Sequence, residues 1–198
     1  MNTEKKVQVS VYQRPKKGNY SCGDSYFYTE TENEFVCAIA DGLGSGDLAK
    51  ESSQVVIDII KRNPYATVEQ LVKMCNKELL DKRGVVLGIL KLDFKLKMYS
   101  FSSIGNIGVM SVTKDKKKRR NIPNAGYLAG YPRSFKVEQK QLETEMNFIM
   151  FSDGVVDKEL SQCYFTNKDI HKITEMYELT SDKVKHDDTT LITIRYVA

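Results

Sequence analysis

The 198-residue sequence is poor in cysteine and histidine and has no long apolar run. Its four cysteines, Cys22, Cys37, Cys75 and Cys163, lie far apart and form no CxxC pair. That spacing argues against a zinc knot and supplies no disulfide framework for a chain of this size. Reduced thiols, mostly in or near the core, are expected. With only His171 and His186 available, a His-rich transition-metal site is excluded, so any metal must be held by oxygen. No stretch approaches the roughly 18 consecutive apolar residues of a membrane span. The start of the chain leads into the alternating run Val7-Gln8-Val9-Ser10-Val11 instead of an apolar signal-peptide block. Internal repeats, low-complexity tracts and Pro/Gly/Ser linkers are also lacking. The expectation is one domain over residues 1–198, cytoplasmic and monomeric, with no membrane partner.

What is present suits a folded domain. Thirty Lys and Arg stand against 26 Asp and Glu, a formal charge of +4, and 41% of residues are hydrophobic and spread along the chain. A chain of this length buries roughly 70% of its unfolded surface, enough for a core without staples. Short alternating or apolar runs predict strands at Val7 to Val11, Ser25 to Thr29, Phe35 to Ala40, Val85 to Leu92, Lys97 to Ser103, Gly108 to Val112, Ser134 to Val137, Asn147 to Phe151 and Thr190 to Tyr196. Helical spacing predicts helices over Leu48 to Arg62 and Val68 to Lys82, separated by Asn63-Pro64, with a third over Asn167 to Glu178 and a short one after Asp153. Strands outnumber helices without regular strand–helix alternation, which indicates an α+β fold with antiparallel sheet.

One charge run, Lys114 to Arg120, contains six Lys and Arg around Asp115, and it lies between two strand-like segments. Such a run is read either as a solvated hairpin tip or as a footprint for nucleic acid or an acidic protein. No aromatic residue interleaves with it, which favours the hairpin tip, and no nucleic-acid partner is expected.

The most informative feature is a set of aspartates at strand ends. Phe35 to Ala40 runs into Asp41-Gly42, and Phe148 to Ser152 runs into Asp153-Gly154. Gly23-Asp24 opens one strand, and Asp187-Asp188-Thr189-Thr190 opens the last. Each alone is an ordinary turn dipeptide. If the four ends meet, about four negative charges in one pocket need compensation, which two divalent cations such as Mg²⁺ or Mn²⁺ would supply. Two such ions can lower the pKa of a water and clamp a phosphoryl group during in-line displacement, so the reaction implied is phosphate-ester hydrolysis. Asp41-Gly42-Leu43-Gly44-Ser45-Gly46 matches neither common nucleotide-binding glycine motif. It reads as a backbone-exposing turn, with Ser45 a candidate cap for the following helix.

Together, Gly23-Asp24, Ala40-Asp41-Gly42, Ser103-Ile104-Gly105-Asn106, Ser152-Asp153-Gly154 and Asp187-Asp188-Thr189-Thr190 resemble, in order and over nearly the whole chain, the metal-dependent PP2C (PPM) protein phosphatases. Cys22 to Ser25, Ala40 to Gly46, Lys82-Arg83-Gly84 and Gly126 to Gly130 are similar to the compact bacterial branch that acts on stressosomes. The resemblance implies two packed antiparallel sheets flanked by helices, an αββα sandwich. It implies hydrolysis of phosphoserine or phosphothreonine on phosphorylated stressosome proteins of the RsbS and RsbR type, and negative regulation of the general stress sigma factor. It implies two Mn²⁺ or Mg²⁺ ions: Asp41 bridging both, the Gly42 carbonyl on one, Asp24 serving one mainly through water, and Asp153 and Asp187 on the other. Asp41 and Asp153 are then the catalytic pair, acting through a metal-activated water with no protein nucleophile, and Asp188 supports them. A catalytically inactive binding module of the same fold is the alternative. Animal-type members carry an arginine before the first acid and a histidine after the bridging aspartate. Here those places fall near Asn19 and at Leu43, so neither role transfers. Arg14 and Arg83 are left as candidates to assist with phosphate, while Ser103 and Asn106 have an equally good structural reading.

Overall fold

A computed structural model describes residues 5–44 and 46–198. The contacts of the described residues form two compact units, one within residues 23–107 and 122–142, the other within residues 5–22, 108–121 and 143–198.

The first unit contains strands β2 (Asp24–Glu30), β3 (Glu34–Gly42), β4 (Val85–Asp93), β5 (Met98–Ile104) and β8 (Glu138–Gln141), with helices α1 (Asp47–Arg62) and α2 (Val68–Lys77). The strands form one antiparallel sheet in the order β2-β3-β4-β5-β8. Val36, Ala38 and Ala40 alternate along β3 onto the helix-facing side, where Val56, Ile57 and Ile60 of α1 and Leu71, Val72 and Cys75 of α2 complete one cluster. Small alanines on the sheet admit branched residues from the helices, the large-against-small fit that dense interiors require. Acidic Asp47 stands in the first turn of α1 and Lys61 and Arg62 in its last, complementing the helix dipole. Gly46 is the residue at its N-cap; the expected Ser45 cap lies outside the described residues. Helix α2 starts with a capping box in which Thr67 and Gln70 each bond the other's backbone N–H.

Two expectations are corrected here. Helix α2 ends at Lys77, short of Lys82, although Leu79 and Leu80 continue the apolar spacing. The Asn76 side chain takes the backbone N–H groups of Ala129 and Gly130 and donates to the Tyr131 carbonyl, and Asp81 turns into the left-handed region at φ 61°. The strand expected over Ser134 to Val137 falls instead at Glu138–Gln141. Around Lys136 the backbone bonds side chains, its N–H going to Asn124 and its carbonyl accepting from Ser102.

Lys91 of β4 is a charged side chain only 8% exposed, 3.0 Å from Glu34 and donating to the Ala66 carbonyl at 2.9 Å. Removing one partner of a buried pair leaves an uncompensated charge, whereas replacing both by apolar groups costs little. Glu34→Gln is therefore expected to lose about 3 kcal/mol in denaturant unfolding, and Lys91→Met combined with Glu34→Leu to lose clearly less.

The second unit contains β1 (Val7–Arg14), β6 (Gly108–Val112), β7 (Lys118–Arg120), β9 (Asn147–Phe151) and β10 (Thr189–Tyr196), with the short α3 (Asp157–Leu160), a 3₁₀ turn at Cys163–Thr166 and α4 (Ile170–Thr180). Its sheet is antiparallel in the order β1-β10-β9-β6-β7. Ile170, Ile173 and Tyr177 of α4 pack with Tyr12, Ile149, Phe151 and Leu191 of the sheet. Asp169 caps α4, accepting the N–H groups of His171 and Lys172. Helix α4 thus starts after the Asn167 predicted for it.

The basic run spans the β6–β7 hairpin. Lys118 donates to the carbonyls of Leu160, Ser161 and Gln162 behind α3, Arg120 pairs with Asp157, and Lys114 lies 2.9 Å from Glu145. These three charges serve contacts within the chain, as a hairpin reading requires.

Both sheets and all four helices agree with the expected α+β class. Among the described residues, no helix is long and apolar enough to cross a membrane. All four cysteines are free, and Cys22, Cys37 and Cys75 are buried. Burial pushes the Cys37 thiol far up and that of Cys75 to about 12, so both remain protonated and unreactive.

Candidate metal-binding carboxylates

In the first unit, Asp24 begins β2 and Asp41 nears the end of β3, and the two are direct Cα partners in the antiparallel ladder. Residues so paired point to the same face of the sheet, where like charges oppose each other unless a cation intervenes. Asp24 is fully buried and Asp41 partly so. Helix α1 holds the chain in front of this pair: Lys50 Nζ donates to the Asp24 carbonyl at 2.7 Å, and Ser53 donates to the Gly23 carbonyl at 2.8 Å and shares a bond with the Ser25 hydroxyl. Neither Lys50 nor Ser53 was marked by a motif; each lies in an amphipathic helix where its type is unremarkable.

Gly42 follows because no side chain fits. A Cβ there would stand 2.0 Å from the Ala49 carbonyl oxygen, so α1 approaches the strand end through its backbone. The chain then turns, with the Leu43 N–H on the Gly84 carbonyl at 2.8 Å. Gly44, at φ +96°, has Arg83 across it, and Arg83 reaches the Leu43 carbonyl at 3.5 Å. Arg83 thus borders the turn after Asp41-Gly42.

Ser103 and Gly105 of the Ser103 to Asn106 motif bond within the chain. Ser103 donates to the Ile107 carbonyl, and its own carbonyl accepts both the backbone N–H and the side-chain amide of Asn124. Gly105 adopts φ +86° and donates to the Asn124 carbonyl at 2.8 Å.

In the second unit, Asp153 lies just past β9 and Asp187 and Asp188 just before β10, and those strands are neighbours. The two loops interlock. The Ser152 N–H donates to the Thr190 carbonyl at 3.0 Å, and the Ser152 hydroxyl accepts the Thr190 N–H at 2.9 Å. A Cβ on Gly154 would lie 2.2 Å from the Thr189 hydroxyl and 2.4 Å from the Asp188 carbonyl. Asp153 keeps solvent access, yet desolvation by its crowded surroundings, followed by the negative charge of Asp187, pushes its carboxyl above the usual range. A cation beside them would relieve that repulsion. Asp187 is exposed and accepts the Asp188 N–H at 2.9 Å. Asp188 is buried and accepts the Lys16 N–H at 2.8 Å, tying the end of β1 to the start of β10. Arg14 lies over the Tyr12 ring and 2.9 Å from Glu178.

The donors in both sets are carboxylate and carbonyl oxygens, the chemistry of hard divalent cations. Among the described residues, no group of three or more His, Cys, Asp and Glu is placed to hold a metal ion by itself. The structure brings Asp24 to Asp41 and Asp153 to Asp187, each pair within its own unit.

No family model matches the chain. It is 31% identical over 186 residues to the phosphoserine phosphatase RsbX of Bacillus subtilis (strain 168), covering 94% of each chain. It superposes on a crystal structure of RsbX in complex with magnesium at a TM-score of 0.88 and 30% identity, covering 98% of this chain and 96% of that one. The PP2C phosphatase domain of the cell-fate determinant SpoIIE from Bacillus subtilis matches at a TM-score of 0.78 and 20% identity over 96% of this chain and 63% of that one, a likeness of fold.

Proposed function

The chain belongs to the RsbX family of PP2C-type phosphatases, and from that premise we propose that it is a divalent-metal-dependent phosphatase that removes phosphate from phosphoserine and phosphothreonine on stressosome proteins. The observation that carries this reading is the placement of the acidic motifs, which land at strand ends as Asp24 facing Asp41 and Asp153 beside Asp187. RsbX itself is described as a phosphoserine phosphatase and has been crystallised with magnesium.

In this reading residues 1–198 are a single phosphatase domain. Asp24, Asp41 and the Gly42 carbonyl would hold divalent cations from one side, with Asp41 as the shared ligand, Asp153 and Asp187 would hold them from the other, and Asp188 would support Asp187 through the shared turn. When bound, such ions supply an activated water and neutralise the phosphoryl oxygens during in-line displacement. The chain's own task is to keep hard oxygen donors rigid. Asp24 and Asp41 do so from paired strands, and Asp153 does so from the turn in which the Val155 N–H bonds the Ser152 carbonyl. Arg83, beside the Leu43–Gly44 turn, is a candidate to meet an incoming phosphate or its flanking acidic residues, as is Arg14. The protein works in the cytoplasm as a monomer and dampens the general stress sigma factor pathway.

Incubating the protein with phosphorylated stressosome proteins tests this. Phosphate release should require Mg²⁺ or Mn²⁺ and fall by about 10²-fold or more in chelator, since a metal's share of transition-state stabilisation is several kcal/mol. Release that is undiminished by chelation overturns the reading. Binding of the same proteins without turnover at any metal concentration supports the inactive regulatory module instead.

A further inference from the structure

A buried charge stands in the loop that leads to Asp187. Lys185, two residues before Asp187, has a side chain only 5% exposed. Its ammonium donates to the Tyr177 hydroxyl at 3.0 Å and stands 3.5 Å from Glu159. Tyr177 donates in turn to Glu159 at 3.1 Å. The same Glu159 oxygen accepts the backbone N–H of Val156 at 2.9 Å, and Val156 is three residues after Asp153. Tyr12 of β1 completes the enclosure: its ring meets that of Tyr177 edge-on at 5.0 Å, and the ammonium lies over both rings.

The same loop is held from its backbone. The Lys185 carbonyl accepts the Lys17 N–H at 3.0 Å, and Asp188 accepts that of Lys16 at 2.8 Å. Three segments, those after β1 and β9 and that before β10, are thus tied together around Lys185 and Asp188. Glu159 connects to the Asp153 loop and Lys185 to the Asp187 loop, with Tyr177 between them as acceptor for one and donor for the other. Burial and the adjacent Glu159 push the Tyr177 phenol upward, which keeps the proton that bond requires.

Hydrophobic residues of similar volume generally stabilise such an interior as well as an ion pair does. What an ion pair with directed hydrogen bonds adds is one fixed geometry, because each group has a single arrangement that satisfies it. We propose that Glu159, Tyr177 and Lys185 form a clamp that fixes the spacing of the Asp153 and Asp187 loops, making all three positioning residues for cation binding. This rests on the assignment of Asp153 and Asp187 as metal ligands. None of the three touches the reacting groups in this account. They act by holding two carboxylates, which repel each other, at a separation a cation can use.

Calorimetric titration of the full chain with MnCl₂ alone provides the test, using Tyr177→Phe, Glu159→Gln, Lys185→Met, Lys185→Arg and, as reference, Asp153→Asn. Tyr177→Phe keeps the ring and removes only the linking hydroxyl, so it decides the matter even if Glu159→Gln or Lys185→Met does not fold. The expected result is Mn²⁺ affinity about tenfold weaker in folded Tyr177→Phe, in line with the 10–100-fold effect of groups that orient metal ligands. The Mn²⁺ concentration for half-maximal turnover should rise by the same factor, with a much smaller change in kcat. Lys185→Arg should bind Mn²⁺ more tightly than Lys185→Met. Wild-type affinity in Tyr177→Phe overturns the clamp. Asp153→Asn binding Mn²⁺ like the wild type, or a wild type that binds none, overturns the ligand assignment instead and with it the clamp's role.

Discussion

Asp41→Asn is expected to lower phosphoserine turnover by about three orders of magnitude or more at any metal concentration, while the protein stays folded. Asparagine keeps the size of the side chain and one acceptor oxygen but not the charge that a hard cation needs. Asp41 faces the buried Asp24 across the ladder, so in the absence of metal the substitution removes a repulsion and should leave Tm unchanged or raised. Metal added to the wild type should raise Tm through preferential binding to the folded state, and that increment should vanish in the variant. Activity and metal-free stability thus move in opposite directions, which distinguishes a lost ligand from a damaged fold. Asp115→Asn, in the exposed hairpin, serves as the control and should change neither. Turnover above a tenth of wild type in Asp41→Asn would remove Asp41 from its bridging role.

Gly42→Ala should give the largest loss of stability for a single added methyl group. The new Cβ would meet three backbone atoms of Ala49, at 2.0, 2.6 and 2.8 Å, and a helix backbone cannot yield as a flexible side chain would. Overpacking of this kind costs about 3 kcal/mol or more, which for a chain of this size lowers Tm by roughly 6–12 °C. Gly18→Ala is the instructive comparison. Gly18 has φ +93° but nothing within 4 Å of its added Cβ, so only backbone strain of about 1–2 kcal/mol is incurred. If thermal melts show Gly42→Ala no less stable than Gly18→Ala, then α1 does not press on the strand end as described.

The parts of the fold that periodicity reveals are those with a buried face. β3, β4 and β9 are nearly continuous apolar runs and β10 is rich in β-branched residues, because almost every position along them is buried, and they are legible for that reason. β7 and β8, made of Lys118–Arg120 and Glu138–Gln141, carry ladder hydrogen bonds at sheet edges with little buried side-chain surface, so no apolar pattern marks them. The end of α2 was hidden for the converse reason: Leu79 is buried and keeps the helical spacing, though the backbone has already left the helix. For the candidate site, the aspartates were visible because each follows or opens an apolar strand. That Asp24 and Asp41 stand in register, and that Lys185 lies against Glu159, depends on pairings between distant segments that no local pattern encodes.

The strand order of the second unit sets a timetable for the chain's appearance during synthesis. β10 lies between β1 and β9, so the sheet stays split until β10 emerges, and β1 waits without its ladder partner until Thr189–Tyr196 has been made. The first unit has all five of its strands once residue 141 is made. Long-range pairing of this kind folds slowly and exposes strand edges meanwhile. A nascent chain would therefore hold Asp24 and Asp41 in their folded sheet well before Asp187 has been translated, so that hydrolytic competence would wait for the segment that carries Asp187 and β10.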